Sequence, residues 1–424
     1  MPGPGSDRGA GEDPKRESTT PYQGIPRPTR RTLLDGIAGV GALAVIAPLV
    51  DRIGLGPIST AAPPPDAWPL RRYDPAGTAG NPDATPPSDP AVDWVDHSLS
   101  AARTTSVRLV AGPDAVYASA TETVALDRAD GSERWRVAEP GGRLALHGDT
   151  LYVASGSLGT LRALGTDGSK RWTSDIRSGA GSLVVADGTV FVGGGSGVYA
   201  YTADSGSRKW TDGDDWADQV RVGDGRLLTS HGDLTKYRQR SVLDVPLGSP
   251  PAVDWTVTPD PNAMAATDAG PVVGRNRVDD RAALLALDGA GQVRWRAVTS
   301  PDGQFVAAAP LAVAGDRCFV ALVNGDESSA NAVASHALAD GARHWRRPVE
   351  GVVTDIAVVG DSVLIGTRPL DDAPIEAAGT VRAFARADGS ERWRVALDAG
   401  CRQFAPVDGA VFVVTDDQRV VAIR

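Results

Sequence analysis

Short runs of β-branched, aromatic and alanine residues recur along the chain from Ala115 onward, separated by polar stretches rich in Gly and Asp. Eight of them share one register: Ala115–Ala118, Thr150–Val153, Thr189–Val192, Arg226–Thr229, Gly270–Val273, Arg317–Val320, Ser362–Ile365 and Ala410–Val413. Their length and composition predict strands, and the Gly-Asp or Asp-Gly pair before most of them supplies the positive φ of a tight hairpin. A further strand is predicted after each, as at Thr123–Leu126, Gly197–Tyr201 and Thr380–Phe384. An inner strand is predicted ahead, as at Ser182–Val185, Ala309–Val313 and Thr354–Val358.

A tryptophan strand ends each unit. Trp94, Trp135, Trp172, Trp210, Trp255, Trp295, Trp345 and Trp393 follow one another at intervals of 37 to 50 residues, and an Asp/Gly turn precedes most of them. The segment Arg128–Val137 even recurs unchanged at Arg386–Val395. Four strands per unit at this period predict an all-β fold, an eight-bladed β-propeller of four-stranded antiparallel blades over residues 93–424. The last unit stops before any tryptophan strand, whereas Trp94 has no strands before it. Asp93–Asp96 is therefore expected to complete blade eight and close the ring, leaving no open edge there. Blade four, Val220–Val257, is the weakest copy, and its third strand stays undefined by sequence. Blades six and seven carry polar insertions, Asn324–Asn331 and Arg368–Gly379.

The N-terminal region has a different character. Residues 1–28 are polar and rich in Gly and Pro, which predicts disorder. Residues 29–55 place the pair Arg30 and Arg31 before the uncharged stretch Gly36–Val50, the order of a twin-arginine-type export signal, although Asp35 is unusual there. About 15 uncharged residues fall short of the roughly 20 that a spanning helix requires. A cleaved or weakly anchoring signal is expected, so the membrane is met only through an uncleaved signal segment. No cysteine follows it, which excludes a lipobox. The expected location is extracellular or at the cell surface. Residues 56–92, dense in Pro, Ala, Asp and Gly, read as an extended linker that contains Trp68-Pro-Leu-Arg-Arg-Tyr-Asp74 and Asn81–Pro86.

Composition narrows the function. A net charge of −10, with lysine only at positions 15, 170, 209 and 236, argues against nucleic acid as a partner. Such an acidic, lysine-poor surface suits solubility in concentrated salt. The five histidines and two cysteines show no metal-ligand spacing. Cys318 and Cys401 fall in blades six and eight, so a disulfide between them would have to cross the ring.

The blade ending Ala125-Leu-Asp127, Asp130-Gly131, Trp135 and its copies resemble the PQQ-like repeat family, named for quinoprotein alcohol dehydrogenases and shared by the outer-membrane assembly lipoprotein BamB. The Trp-Pro…Arg-Tyr-Asp…Asn…Pro segment resembles the opening of exported members. The resemblance implies that the eight tryptophans dock each blade to its neighbour. It also implies that a dehydrogenase would need pyrroloquinoline quinone, a calcium ion, a carboxylate base and two adjacent cysteines. The cysteines here are not adjacent. Asp214-Asp215, Asp279-Asp280, Asp371-Asp372 and Asp416-Asp417 lack the alternate-residue spacing of calcium loops. Gly156–Gly159 and Gly193–Gly197 read as hairpin turns, not as a nucleophile elbow or phosphate cradle. The expectation is an exported, non-catalytic, monomeric propeller without a cofactor that binds a protein or other envelope ligand. A quinone- and calcium-dependent dehydrogenase and a carbohydrate- or wall-binding module are the alternatives.

Overall fold

The structure is a computed structural model, and it describes residues 57–97, 99, 107–177, 179–213, 216–238, 250–259, 261–277, 282–298, 306–324, 331–369 and 378–424. Arg30, Arg31 and the segments 1–28 and 29–55 lie outside the described residues.

Eight antiparallel blades follow one another in sequence order. Blade 1 runs Arg108–Ala111, Ala115–Ser119, Thr123–Asp127, Glu133–Val137, and blade 2 runs Arg143–His147, Thr150–Ser155, Thr160–Gly165, Lys170–Asp175. Blade 4 gains the third strand that its sequence left open, Asp233–Tyr237, paired with Val253–Val257. In blade 8, Cys401–Val407, Ala410–Thr415 and Val420–Ile423 are joined by Val92–Asp96 from the other end of the propeller. Reciprocal hydrogen bonds between Ala91 and Arg424, at 2.8 and 3.0 Å, extend this pairing. The sheets of blades 5 and 6 are also linked, through Asn276 opposite Ala307 and Arg277 opposite Val306.

Burial explains the composition of the strands. The second strands of blades 3 and 8, Thr189–Gly194 and Ala410–Thr415, are buried at every position, so small and β-branched residues face a neighbouring blade on each side. The outermost strands alternate instead, as Lys170–Asp175 does, with Trp172 inward and charged residues out.

All eight outer strands share a bulge. The residue before the tryptophan is skipped in the ladder: Asp93, Arg134, Arg171, Lys209, Asp254, Arg294, His344 and Arg392. A bulge adds twist and re-aims the next side chain. Here the next side chain is tryptophan, and in six blades it lies against the third turn of the following blade. A Cβ built on Gly131, Gly168, Gly206, Gly291, Gly341 or Gly389 would come within 3 Å of the ring of Trp94, Trp135, Trp172, Trp255, Trp295 or Trp345 respectively. The indole N–H donates to a carbonyl of the same turn, from Trp135 to Thr166 at 2.8 Å and from Trp295 to Leu338 at 2.8 Å. The turn is closed by its aspartate, whose Oδ1 accepts from a backbone N–H two residues on, as Asp167 does from Ser169 and Asp388 from Ser390. Behind the indole stands an aromatic of the second strand, with ring centroids 5.8 Å apart for Tyr152 and Trp172.

Residues 65–85 correct the linker expectation. They are not an extended tether but make a complete circuit of one end of the ring. Pro65 O accepts from Asp408 of blade 8, Trp68 bridges Ala111 of blade 1, and Pro69 O accepts from Leu146 of blade 2. Pro75 O, Ala76 O and Thr78 O accept from Val222, Ala266 and Val313 of blades 4, 5 and 6. Gly80–Asn81 then pairs in parallel with Val358–Val359 of blade 7, and Thr85 O accepts from Gly409, back at blade 8. The path bends through positive φ at Tyr73 (72°), Gly77 (74°) and Ala79 (51°). Trp68 is only 1% exposed and its ring lies 5.0 Å from that of Tyr73, whose hydroxyl donates to Pro63 O or Asn81 Oδ1.

Two outcomes follow from this packing. Gly206 and Gly409 have nearly equal φ, +67° and +69°, yet only Gly206 has a ring where its Cβ would go. Gly409→Ala should cost about 1 kcal/mol for the left-handed backbone, and Gly206→Ala about 1 to 3 kcal/mol more for the clash, read as a difference in denaturation midpoint. Trp68→Ala should cost about 3 to 5 kcal/mol, with faster proteolysis between residues 66 and 86.

Candidate functional site

The inner strands leave a central cavity of about 510 Å³. Its wall is built from their first residues, among them Arg108, Arg143, Gln219 and Asn262, while the circuit meets the far ends of the same strands. Leu70, Arg71, Arg72 and Asp74 of the circuit line it from that end.

The lining is cationic although the chain is acidic. Arg71, Arg72, Arg108, Arg143 and Arg221 face it, against Asp74 and Asp218. The two arginines of the circuit are tied to blade 7, where Arg71 Nη1 lies 2.8 Å and Arg72 Nη1 3.0 Å from the two oxygens of Asp355. The Asp355 carboxylate is 2% exposed and also accepts from the backbone N–H groups of Ile356 and Phe404. Its acceptor positions are thus occupied by two guanidiniums and two amides. Asp74 is similarly engaged, accepting from Thr78 N at 2.9 Å and Thr78 Oγ1 at 2.5 Å, and burial pushes its carboxyl above the usual range.

The remaining arginines are crowded. Burial, with the cations Arg143, Arg71 and Arg402 around it, pushes Arg108 down to about 9. Arg143 is pushed to about 10 by burial and Arg71, and Arg221 to about 9 by burial and Arg72. All stay protonated at neutral pH, so these shifts measure how poorly the charges are solvated. Arg221 donates to the carbonyls of Met264 and Val220, and Arg143 Nε to Ala180 O at 3.3 Å. Among the described residues no hydrogen bond or ion pair takes Arg108.

At the open rim, Trp216 is 59% exposed and its ring lies 5.0 Å from that of His231. His231 Nδ1 is in turn 2.6 Å from Asp218 Oδ2. This aromatic and polar group sits beside the lining residues Asp218 and Gln219.

Among the described residues the cavity carboxylates do not make a calcium donor set. Calcium needs about six to eight oxygen ligands, whereas Asp355 and Asp74 are consumed by internal donors and Asp218 by His231. Cys318 and Cys401 are separate, free and buried, and burial pushes the Cys318 thiol up to about 12. Among the described residues no group of three or more His, Cys, Asp or Glu is placed to hold a metal.

None of the eight periodic tryptophans lines the cavity; they stand at the outer strands. The residues that do line it were missed. The legible hint was Arg71-Arg72 inside a segment that otherwise reads as linker. Asp355→Ala should cost about 3 to 5 kcal/mol by leaving two guanidiniums without their counter-charge, seen as a lower denaturation midpoint.

The family model described as outer membrane protein assembly factor BamB matches residues 120–242, from the end of the second strand of blade 1 into blade 4. No curated protein matches the chain. Solved structures share the fold at low identity. The computationally designed Ika8 protein is 14% identical with a TM-score of 0.59, covering 77% of this chain and 98% of its own. BamB from Moraxella catarrhalis is 14% identical with a TM-score of 0.52 over 79% of this chain and 97% of its own. The quinohemoprotein alcohol dehydrogenase from Comamonas testosteroni is 14% identical with a TM-score of 0.54 over 85% and 81%. An assembly factor, an enzyme and a designed protein are matched alike, so the likeness speaks for the propeller and not for its use.

Proposed function

We propose that this chain is an exported, non-catalytic propeller that binds a protein partner at the cell envelope through the open face of its ring. The observation that carries this reading is the polarity of the ring. One face is occupied by the chain's own circuit, and the other presents a rim with a largely exposed tryptophan. Exposed tryptophan beside a polar rim is the composition of an interface hot spot. The internally bonded carboxylates Asp355 and Asp74 support a binding role over a catalytic one, since neither is free to act as a base. The family match to an assembly factor is consistent with the envelope, and the paired Arg30 and Arg31 with export.

A wall-binding reading has one observation in its favour, because the face of Trp216 could equally stack on a sugar. Retention of the purified full chain on envelope fractions separates the two. Trp216→Ala should weaken retention about 30-fold, the equivalent of roughly 2 kcal/mol. Protease treatment of the fractions should abolish capture, while glycan digestion should leave it. Titration with pyrroloquinoline quinone and Ca²⁺ should give no dye-linked alcohol oxidation; turnover in that assay would overturn the non-catalytic reading.

A further inference from the structure

The cavity holds more positive charge than the fold has use for. On the outer faces, arginines are matched to carboxylates, as Arg171 is to Asp149 and Arg392 to Asp361. Inside, Arg71 and Arg72 share one carboxylate, and Arg108 and Arg143 begin adjacent inner strands; among the described residues neither makes an ion pair, and Asp218 is the acid near Arg143. Crowding half-buried cations together with fewer counter-charges than cations is costly. Next to Arg108, Gln403 of blade 8 is 1% exposed; its Nε2 donates to Leu109 O at 2.7 Å while its Oε1 is buried without a partner. The Gln403 oxygen is an acceptor facing this wall, so the donors that converge there are the guanidiniums of Arg108 and Arg143, beside the apolar side chains of Leu70, Leu109 and Leu144.

We propose that the central cavity is a binding site for a small molecule bearing one or more oxyanion groups, with Arg108 and Arg143 receiving the oxyanion and Arg71 approaching from the end that the circuit lines. Guanidiniums match carboxylate and phosphate geometry and bind both through charge-assisted hydrogen bonds. The cavity volume of about 510 Å³ suits a metabolite-sized ligand. The site lies inside the ring and does not depend on the partner proposed for its rim.

The test is thermal unfolding and calorimetric titration of the full chain with citrate and with inorganic phosphate, at constant ionic strength against chloride. At least one of the two should raise the unfolding temperature saturably, citrate alone marking a polycarboxylate and phosphate alone a phosphate ligand. Arg108→Gln and Arg143→Gln should each weaken that binding about 10- to 100-fold, the range of a charge-assisted hydrogen bond. In chloride alone, Arg108→Gln should unfold at a higher temperature than the parent, because it relieves the crowding of like charges. A merely structural arginine would give the opposite sign. Arg171→Gln, on the outer face, should leave anion binding unchanged. No saturable response to either anion, or an equal response in the Arg108→Gln, Arg143→Gln double variant, would overturn the site. Capture on envelope fractions, measured on the same variants, reports the rim separately, so failure of one reading is distinguishable from failure of the other.

Discussion

The ring depends on one repeated contact, an indole seated where a glycine has no Cβ. Tryptophan is the largest side chain, and a turn can receive it closely only if the turn residue beneath has no side chain of its own. Gly168 and Gly206 meet that need while holding the positive φ that their turn requires, so one residue answers two demands. The bulge before each tryptophan supplies the third part, aiming the ring out of its own sheet toward the next. No blade is complete within itself. Six of the eight lend an indole forward to the turn of the next blade, and the sum is a closed ring rather than a stack with free ends.

Closure brings together side chains that the sequence keeps far apart, and this gives the protein two electrostatic surfaces of opposite character. Acidic residues on the outside meet water and are mostly solvated or paired. Arginines at the first positions of the inner strands meet one another instead. The circuit tightens this contrast, since it adds Arg71 and Arg72 to the lumen and clamps both to Asp355. Gly77 is part of the same arrangement: a Cβ there would fall 2.0 Å from Arg221 Nε, so the bend of the circuit and the place of that guanidinium are set jointly.

The propeller, its blade count and its closure were legible because they are written in local periodicity. Strand runs, Asp/Gly turns and the tryptophan spacing each repeat, and Trp94 without preceding strands pointed to the closing strand Val92–Asp96. The circuit was hidden because it is held by main-chain carbonyls, such as Pro75 O and Ala76 O, whose partners no side-chain pattern encodes. Its Pro- and Gly-rich composition serves tight bending as well as it would serve a tether. The cavity was hidden for a different reason. Arg108 and Arg143 each look like ordinary strand-edge polar residues, and only the closed geometry shows that they face one lumen. The buried Trp68, off the tryptophan period, was the one residue whose size argued against a plain linker.

The pairing of Val92–Asp96 with Val420–Ile423 also orders events in time. During synthesis the first of these strands leaves the ribosome seven blades ahead of its partner, so the seam cannot close until those blades have been made. The circuit faces the same delay: its resting places on blades 4 to 8 appear one after another, and it can complete its turn only as the last of them forms. Such long-range closure is intrinsically slow. Until blade 8 is made the propeller therefore has two unpaired sheet edges to guard, and Val420–Ile423 is the strand that shuts the ring.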